Sequence, residues 1–430
     1  MARPALTADV AVVGAGPAGT AAAITLARLG RTVLLIDKAT FPRDKCCGDG
    51  LTTAALRLLE DLGLDPASVP SWEPVSEAVV AVPSGRKVLL PLPTGSSQFA
   101  ASARRADLDD ALVALAAAAG AEMVEGRAVV GASGTDDGAA VGLDLDDGRR
   151  VRTHYVIAAD GMWSPVRKAL GLGQAGYLGD WQAGRQYFAA VGPRARQLWV
   201  WFEPDMLPGY AWSFPLPGGM ANVGYGVVRR PGQSLGELKG QRIDLMARPH
   251  IAQVLGPDAV PVGTWKAWPI PARIGDTILS GLGGRVLFAG DAARACDPMT
   301  GEGIAQAMET AELAARAIAA AGPYQPEAAA RRYQRQVRWG LALDDRLARD
   351  LSKVLAHRRG TTGALRIVDN GSWFRRQFAR WMFEDYPRAV LVTPHRWRRD
   401  VFKRPGAFLA SPAPLVGPRT KSETTLIPHV

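Results

Sequence analysis

The sequence predicts an α/β fold: a doubly wound, Rossmann-type parallel sheet interleaved with an α+β antiparallel-sheet domain, followed by C-terminal helices. Three observations carry this. The first fifty residues read as strand, glycine-rich turn, apolar helix and second strand. Two later strands, Val156–Asp160 and Val286–Asp291, each end in an Asp beside a Gly. Between them runs a stretch of short, aromatic-rich segments with period-two patterning.

Asp9–Val13 reads as a short buried strand that runs into Gly14-Ala15-Gly16-Pro17-Ala18-Gly19. An apolar helix follows from Thr20 to about Leu29, then a second strand over Arg31–Ile36, closed by Asp37. This is a dinucleotide-binding βαβ unit in the expected order. Gly14 permits the tight turn, Gly16 lets a pyrophosphate approach the backbone, and Gly19 lets the helix pack close to the sheet. The helix start offers unpaired N–H groups to phosphates. Asp37 can accept from both ribose hydroxyls.

The helix around Leu108–Ala119 and strands over 121–130 and 150–160 continue this domain. Val156-Ile157-Ala158-Ala159-Asp160-Gly161 is one strand end. Gly284–Ala292 is another, with Asp291 placed to hold a ribityl hydroxyl. Asp297-Pro298-Met299-Thr300-Gly301-Glu302-Gly303 then leads into an Ala-rich helix starting near Ile304. A helix start of this kind can lie against a flavin pyrimidine ring. The three sites, in this order, resemble the FAD fingerprints of the para-hydroxybenzoate hydroxylase-like flavoproteins.

Six of the twelve tryptophans lie between Trp181 and Trp268, among alternating strands that imply an antiparallel sheet. Trp199 and Trp201 share one strand face, and so do Tyr210, Trp212 and Phe214. All five are expected to wall a substrate pocket. The domain boundaries that follow are 1–175 for the FAD-binding domain, with 71–100 contributing to the substrate domain. The substrate domain covers 176–275, a returning FAD-binding segment 276–330, a C-terminal helical region 331–405 and a mobile tail 406–430.

The chain has 430 residues, enough for a sizeable core, and 47% hydrophobic against 21% charged residues, an ordinary globular balance. Three cysteines, Cys46, Cys47 and Cys296, are too few for a disulfide framework and fit a reducing cytoplasm. The first strand begins almost at once, which reads as no signal peptide, and no apolar run approaches the roughly 18 residues of a membrane span. No metal-ligand cluster is evident. The net charge is +10. Arginine far outnumbers lysine and alanine is abundant, as in high-GC actinobacterial coding. Residues 373–404 hold nine Lys/Arg against three Asp/Glu, interleaved with Trp373, Phe374, Phe378, Trp381, Trp397 and Phe402. With no nucleic-acid module present, this segment is expected to dock peripherally on anionic membrane or to pack as a helix pair with a basic face.

Phe41-Pro42-Arg43-Asp44-Lys45-Cys46-Cys47-Gly48-Asp49-Gly50-Leu51 matches an FPRxKxCGDGL segment, and Tyr210-Ala211-Trp212-Ser213-Phe214-Pro215 matches YxWxFP. Val223–Gly226 follows where VGxG is expected, and Arg105–Asp109 fits an RxxLD segment. In these motifs the chain resembles the geranylgeranyl reductase family of flavoproteins, over most of its length to about Pro405. The resemblance implies noncovalent FAD and reduction of C=C bonds in prenyl chains. It implies FAD contacts at Gly14, Gly16, Ala18, Gly19, Asp37, Cys47, Gly48, Gly50, Arg105, Asp291, Gly303 and Ile304. Asp160 and Gly301 join them from the fingerprints above. Tyr210, Trp212 and Phe214 would line a lipid pocket beside the flavin. Cys46 departs from the family by doubling its single cysteine.

An isolated alkene accepts hydride only with a proton, and aromatic faces stabilise the positive charge that develops on carbon. Tyr210 and Trp212 offer such faces, which makes them catalytic candidates. Cys47 is a third, as a proton donor or as packing beside the flavin. No histidine sits in a motif. No second dinucleotide βαβ is visible, so electrons are expected from NAD(P)H bound transiently or from a small electron carrier. The alternatives are a flavin monooxygenase or oxidase of natural-product biosynthesis, and a non-redox flavin-bound cyclase or binding protein.

Overall fold

The computed structural model describes residues 5–409 except 83, 94, 96, 231, 233–243, 391–392 and 394–403. Its first sheet has eight strands built on a parallel centre. Leu6–Val13 lies between Arg150–Ala158 and Val33–Ile36, parallel to both. Glu122–Val124 and Val286–Phe288 extend the parallel set on either side. Val33–Ile36 and Val286–Phe288 are wholly apolar because both of their faces are covered. The helices Pro17–Arg28 and Ile304–Ala321 pack against one another, and their small alanines allow the close approach.

The second sheet has seven strands, in the order Val260–Ile270, Trp181–Ala189, Met220–Val228, Tyr210–Leu216, Leu198–Trp201, Glu77–Ala81, Lys87–Pro91. All neighbours are antiparallel except the pairing of Leu198–Trp201 with Glu77–Ala81. One face carries Ala78, Val80, Leu198, Val200, Tyr210 and Phe214 into a core shared with the C-terminal helices Arg358–Val368 and Ser372–Met382. The other face carries Val79, Ala81, Trp199, Trp201, Ala211 and Val223 onto the helix Pro249–Leu255.

This alternation corrects one expectation. Trp199 and Trp201 do share a face, but it is the face turned away from the cavity. Their rings stack on each other at 5.4 Å, and Trp201 is 1% exposed. Leu198, Val200 and Phe202 line the cavity from this stretch instead. The strand is buried on both faces, so both of its residue sets are apolar and only its pairing decides which set faces the cavity.

The tail expected from 406 is also corrected. Ala407 is buried and bridges Gln98, and Phe408 packs edge-on against Trp72 at 5.5 Å. The rest of that tail, 410–430, lies outside the described residues, as do Trp397 and Phe402 of the basic segment.

Trp201→Ala should therefore act on stability. Truncating a fully buried Trp costs about 3–5 kcal/mol. Denaturant unfolding should show that loss while the folded fraction keeps its cofactor absorbance. Loss of substrate turnover at unchanged stability would restore Trp201 to the pocket.

Candidate active site

A continuous cavity of about 870 Å³ runs from Asp37, past Gly14–Ala18, to the aromatic strand and the C-terminal helices. Its first part is shaped by glycine. Gly14 has φ +97°, and a Cβ there would lie 2.3 Å from the Ala159 carbonyl oxygen. A Cβ on Gly19 would lie 1.6 Å from the Gly14 carbonyl oxygen. Only glycine lets the strand, turn and helix close this tightly. Gly16 is the N-cap of the first helix and no side chain caps it, so its N–H groups face the cavity.

Two guanidinium groups hang over that helix start. Arg105 binds buried Asp109 through Nε and Nη2, both at 2.8 Å, and Arg43 reaches the same carboxylate at 2.8 Å. Two cations share one anion, which leaves net positive charge where a pyrophosphate would lie. At the far end Asp37 Oδ2 accepts from Ala15 N–H at 2.7 Å and Oδ1 from Ala39 N–H at 2.8 Å. Asp160 ends the strand Arg150–Ala158 on the cavity wall. Its Oδ2 accepts from Val166 N–H at 3.0 Å, while buried Oδ1 has no partner. Burial pushes its carboxyl up to about 6, against hydrogen bonds from Ser164 and Val166.

Asp291 accepts from the Cys296 thiol at 3.3 Å. Gly290 beside it has φ +58° and donates its N–H to Thr310 Oγ1 at 2.9 Å. The helix Ile304–Ala321 starts at Gly303 without a side-chain cap on Gly303, and Gly301 has φ +69°. Glu302 reaches back from this turn, and its Oε1 accepts from Ile304 N–H at 3.1 Å.

The two motifs quoted from the sequence form one joint. A Cβ on Gly48 would lie 3.5 Å from the Trp212 ring, and one on Gly50 would lie 2.8 Å from the Phe214 ring. The loop's glycines therefore let it lie flat on the aromatic strand. Across the sheet, Gly224 pairs with Trp212, and a Cβ there would sit 2.4 Å from the indole. Asn222 locks the joint. It is fully buried, accepts from Trp212 Nε1 at 3.1 Å, and donates to the Cys47 carbonyl at 2.9 Å and Asp49 Oδ2 at 2.8 Å. Tyr187 Oη donates to the same Asp49 oxygen at 2.7 Å. Burial pushes the Asp49 carboxyl up to about 6, while Tyr187 and Asn222 pull it back.

Tyr210, Trp212 and Phe214 all line the cavity, as do Cys47, Gly48, Gly50, Arg105, Asp160, Asp291, Gly301, Gly303 and Ile304. The Tyr210 hydroxyl donates to the Thr300 carbonyl, and burial raises its phenol above the usual range. Burial pushes the Cys47 thiol up to about 12 against the pull of Arg105, so it stays a neutral thiol. Reading the sequence missed Arg43, Asp49, Tyr187, Asn222 and Glu302 as parts of the site. Arg43 and Asp49 lie inside the quoted FPRxKxCGDGL segment. Asn222 stands out only as a polar residue between Ala221 and Val223 in an apolar strand.

These residues fit FAD. The glycine cradle, the bare helix start and the paired arginines suit a pyrophosphate, and Asp160 lines the same cavity. Fold and site together define a FAD-dependent oxidoreductase. A family of FAD binding domains matches residues 7–335. Menaquinone reductase of Mycolicibacterium smegmatis is 36% identical over 333 residues, covering 73% of this chain and 77% of that protein. Digeranylgeranylglycerophospholipid reductase of Methanosarcina mazei is 33% identical over 317 residues, covering 72% and 74%. A geranylgeranyl bacteriochlorophyll reductase-like protein from Thermoplasma acidophilum shares the fold, with a TM-score of 0.72, 24% identity, and coverage of 91% of this chain and all of that one. The halogenase PltM, solved with FAD, shares it with a TM-score of 0.65 at 19% identity, over 86% of this chain and 82% of that one. The chain belongs to the geranylgeranyl reductase family of FAD-dependent oxidoreductases.

Asp37→Ala removes a charged acceptor from the end of the cavity where the adenosine ribose would lie. The loss is on the order of 2–3 kcal/mol, roughly 30–150-fold in FAD affinity. Fluorescence titration of the deflavinated protein with FAD measures it. Unchanged affinity would place the adenosine elsewhere.

Proposed function

We propose that this protein reduces C=C bonds of a hydrophobic isoprenoid or polyene substrate. The observation that carries the reading is the row of Tyr210, Trp212 and Phe214, held by the glycine loop Cys47–Gly50 on the wall of the FAD cavity. Reduced FAD supplies hydride to carbon when bound there. The aromatic faces stabilise positive charge that builds on the alkene, and the buried slot keeps water from it. Past the aromatic row the cavity walls are apolar. Val80, Leu198, Val200 and Phe202 come from the sheet, and Leu365, Phe378 and Met382 from the C-terminal helices. Such an arm suits a long hydrocarbon chain and no charged group. Relatives named as reductases of menaquinone and of a geranylgeranyl lipid support a prenyl chain as that hydrocarbon.

We assign Tyr210, Trp212 and Phe214 to substrate contact and Cys47 to packing. Trp212→Ala in the FAD-loaded, reduced enzyme should keep FAD content and slow anaerobic flavin reoxidation by geranylgeraniol at least tenfold. Geranylgeraniol is the right probe because it has no quinone ring to take electrons directly. Loss of FAD in this variant would make Trp212 structural and place the pocket elsewhere.

No helix among the described residues is long and apolar enough to cross a membrane. Beyond the apolar arm, Ile367, Trp373 and Phe374 are exposed at 66%, 59% and 43%. Arg359 and Arg366 are exposed on Arg358–Val368, and Arg376 on Ser372–Met382. This face is proposed to rest on an anionic membrane, from which a prenyl lipid would enter the arm. Co-sedimentation should need anionic vesicles and fall with salt, since charges are screened over about 8–10 Å at physiological ionic strength. Equal pelleting with neutral vesicles would contradict the electrostatic part, and no pelleting would contradict docking.

A further inference from the structure

Adding hydride to one carbon of an isolated double bond requires a proton at the other. The site's carboxyls differ in how free they are to give one. Asp297 and Glu384 are buried where the turn before Ile304 meets the C-terminal helices, and Arg388 binds both, at 2.6 Å and 3.2 Å. Asp297 also accepts from Met299 N–H and Thr300 N–H. Glu384 also accepts from Thr52 Oγ1 and Gln306 Nε2. Both are committed. Asp49 is committed as well, to Tyr187, Asn222 and the Arg105 N–H. Asp160 and Asp291 end strands of the first sheet, on the dinucleotide side.

Glu302 is placed differently. It lines the cavity, its carboxyl accepts from the backbone N–H that opens the flavin-facing helix, and no cation among the described residues forms an ion pair with it. The charged and titratable groups around it are Glu384, Asp297, Tyr210, Cys47 and Cys296, with Arg388 behind the first two. Burial and the charge on Glu384 push its carboxyl up to about 7, against the Ile304 and Gly303 N–H groups. Cys47, at about 12, is a far weaker acid, and the Tyr210 O–H is held by Thr300.

We propose that Glu302 is the proton donor of double-bond reduction, acting from the turn that joins the flavin-facing helix to the aromatic slot. This rests on the reading of the previous subsection. The Glu302 O–H bond breaks and a C–H bond forms at one alkene carbon. The other carbon would take hydride, with its electron pair, from the anionic reduced flavin, which would be left as neutral oxidised flavin. The π bond is consumed, two electrons leave the flavin, and the carboxylate regains its proton from water. Because the protonated form is the active one, the rate falls as pH rises through about 7.

The test uses full-length, FAD-loaded enzyme, reduced with dithionite and mixed anaerobically with geranylgeraniol. Glu302→Gln keeps the size and the oxygen that meets the Ile304 N–H, so FAD content and reduction by dithionite should be unchanged. Reoxidation should slow on the order of 100-fold and lose its pH dependence between about 6 and 8, with Glu302→Asp partly restoring both. A substrate-free readout runs alongside. Infrared difference spectra across the same pH range should show, in the wild type, a protonated-carboxyl component that titrates near 7 and that Glu302→Gln removes, beside components near 6 from Asp49 and Asp160 that stay. Wild-type rates and pH profile in Glu302→Gln, or survival of the component near 7 after the substitution, overturn the proposal. Wild-type enzyme that leaves geranylgeraniol unreduced overturns the reading beneath it, and this one with it.

Discussion

The side chain of Asn222 is where the two sheets become one site. It ties the indole of Trp212, on the second sheet, to the backbone and carboxylate of the Cys47–Gly50 loop, which follows the first sheet's βαβ unit. The bonds to Trp212 and Asp49 are buried and the one to the Cys47 carbonyl is part-buried, so losing either of the first two leaves an unpaired polar group, at about 1–3 kcal/mol. The surrounding residues are chosen to permit this contact. Gly48 and Gly50 keep the loop flat on the aromatic rings, and Gly224 clears the space for the indole. The aromatic slot thus keeps a fixed distance from the dinucleotide cradle although the two lie on different sheets.

Charge is partitioned along the cavity to match. Arg43 and Arg105 outnumber Asp109 at the first helix start, which suits a diphosphate. The middle is lined by neutral aromatic rings and by a thiol that burial keeps protonated. The arm under the C-terminal helices is hydrocarbon. The acids collect at the second helix start, where Arg388 offsets Asp297 and Glu384 but not Glu302. A diphosphate, a redox ring, an alkene and a hydrocarbon chain would each meet surroundings of matching polarity in that order.

The sequence was most legible where a residue's role is local. The φ of Gly14 and the close approach at Gly19 are demands of one turn, so the cradle could be read from a single stretch. The spacing of Tyr210, Trp212 and Phe214 gave their common face for the same reason. Contacts distant in sequence were not legible. Asn222 and Asp49 are 173 residues apart, and no local pattern links them. Trp199 and Trp201 were placed on the wrong side because their strand is apolar on both faces, and only its pairing with Glu77–Ala81 and Tyr210–Leu216 orients it. The C-terminal helices could be read as amphipathic, but not as the lid over the hydrocarbon arm.

The central claim is that the chamber formed by the glycine loop and the aromatic strand adds hydrogen to a carbon–carbon double bond. Mass analysis of the product, from a turnover run under isotopically labelled oxygen and again without oxygen, tests this most directly. The account predicts a product heavier by pairs of hydrogen atoms, the same with or without oxygen, and carrying no label. A product that contains labelled oxygen, or that forms only in its presence, would contradict the account and identify the chamber as that of a monooxygenase.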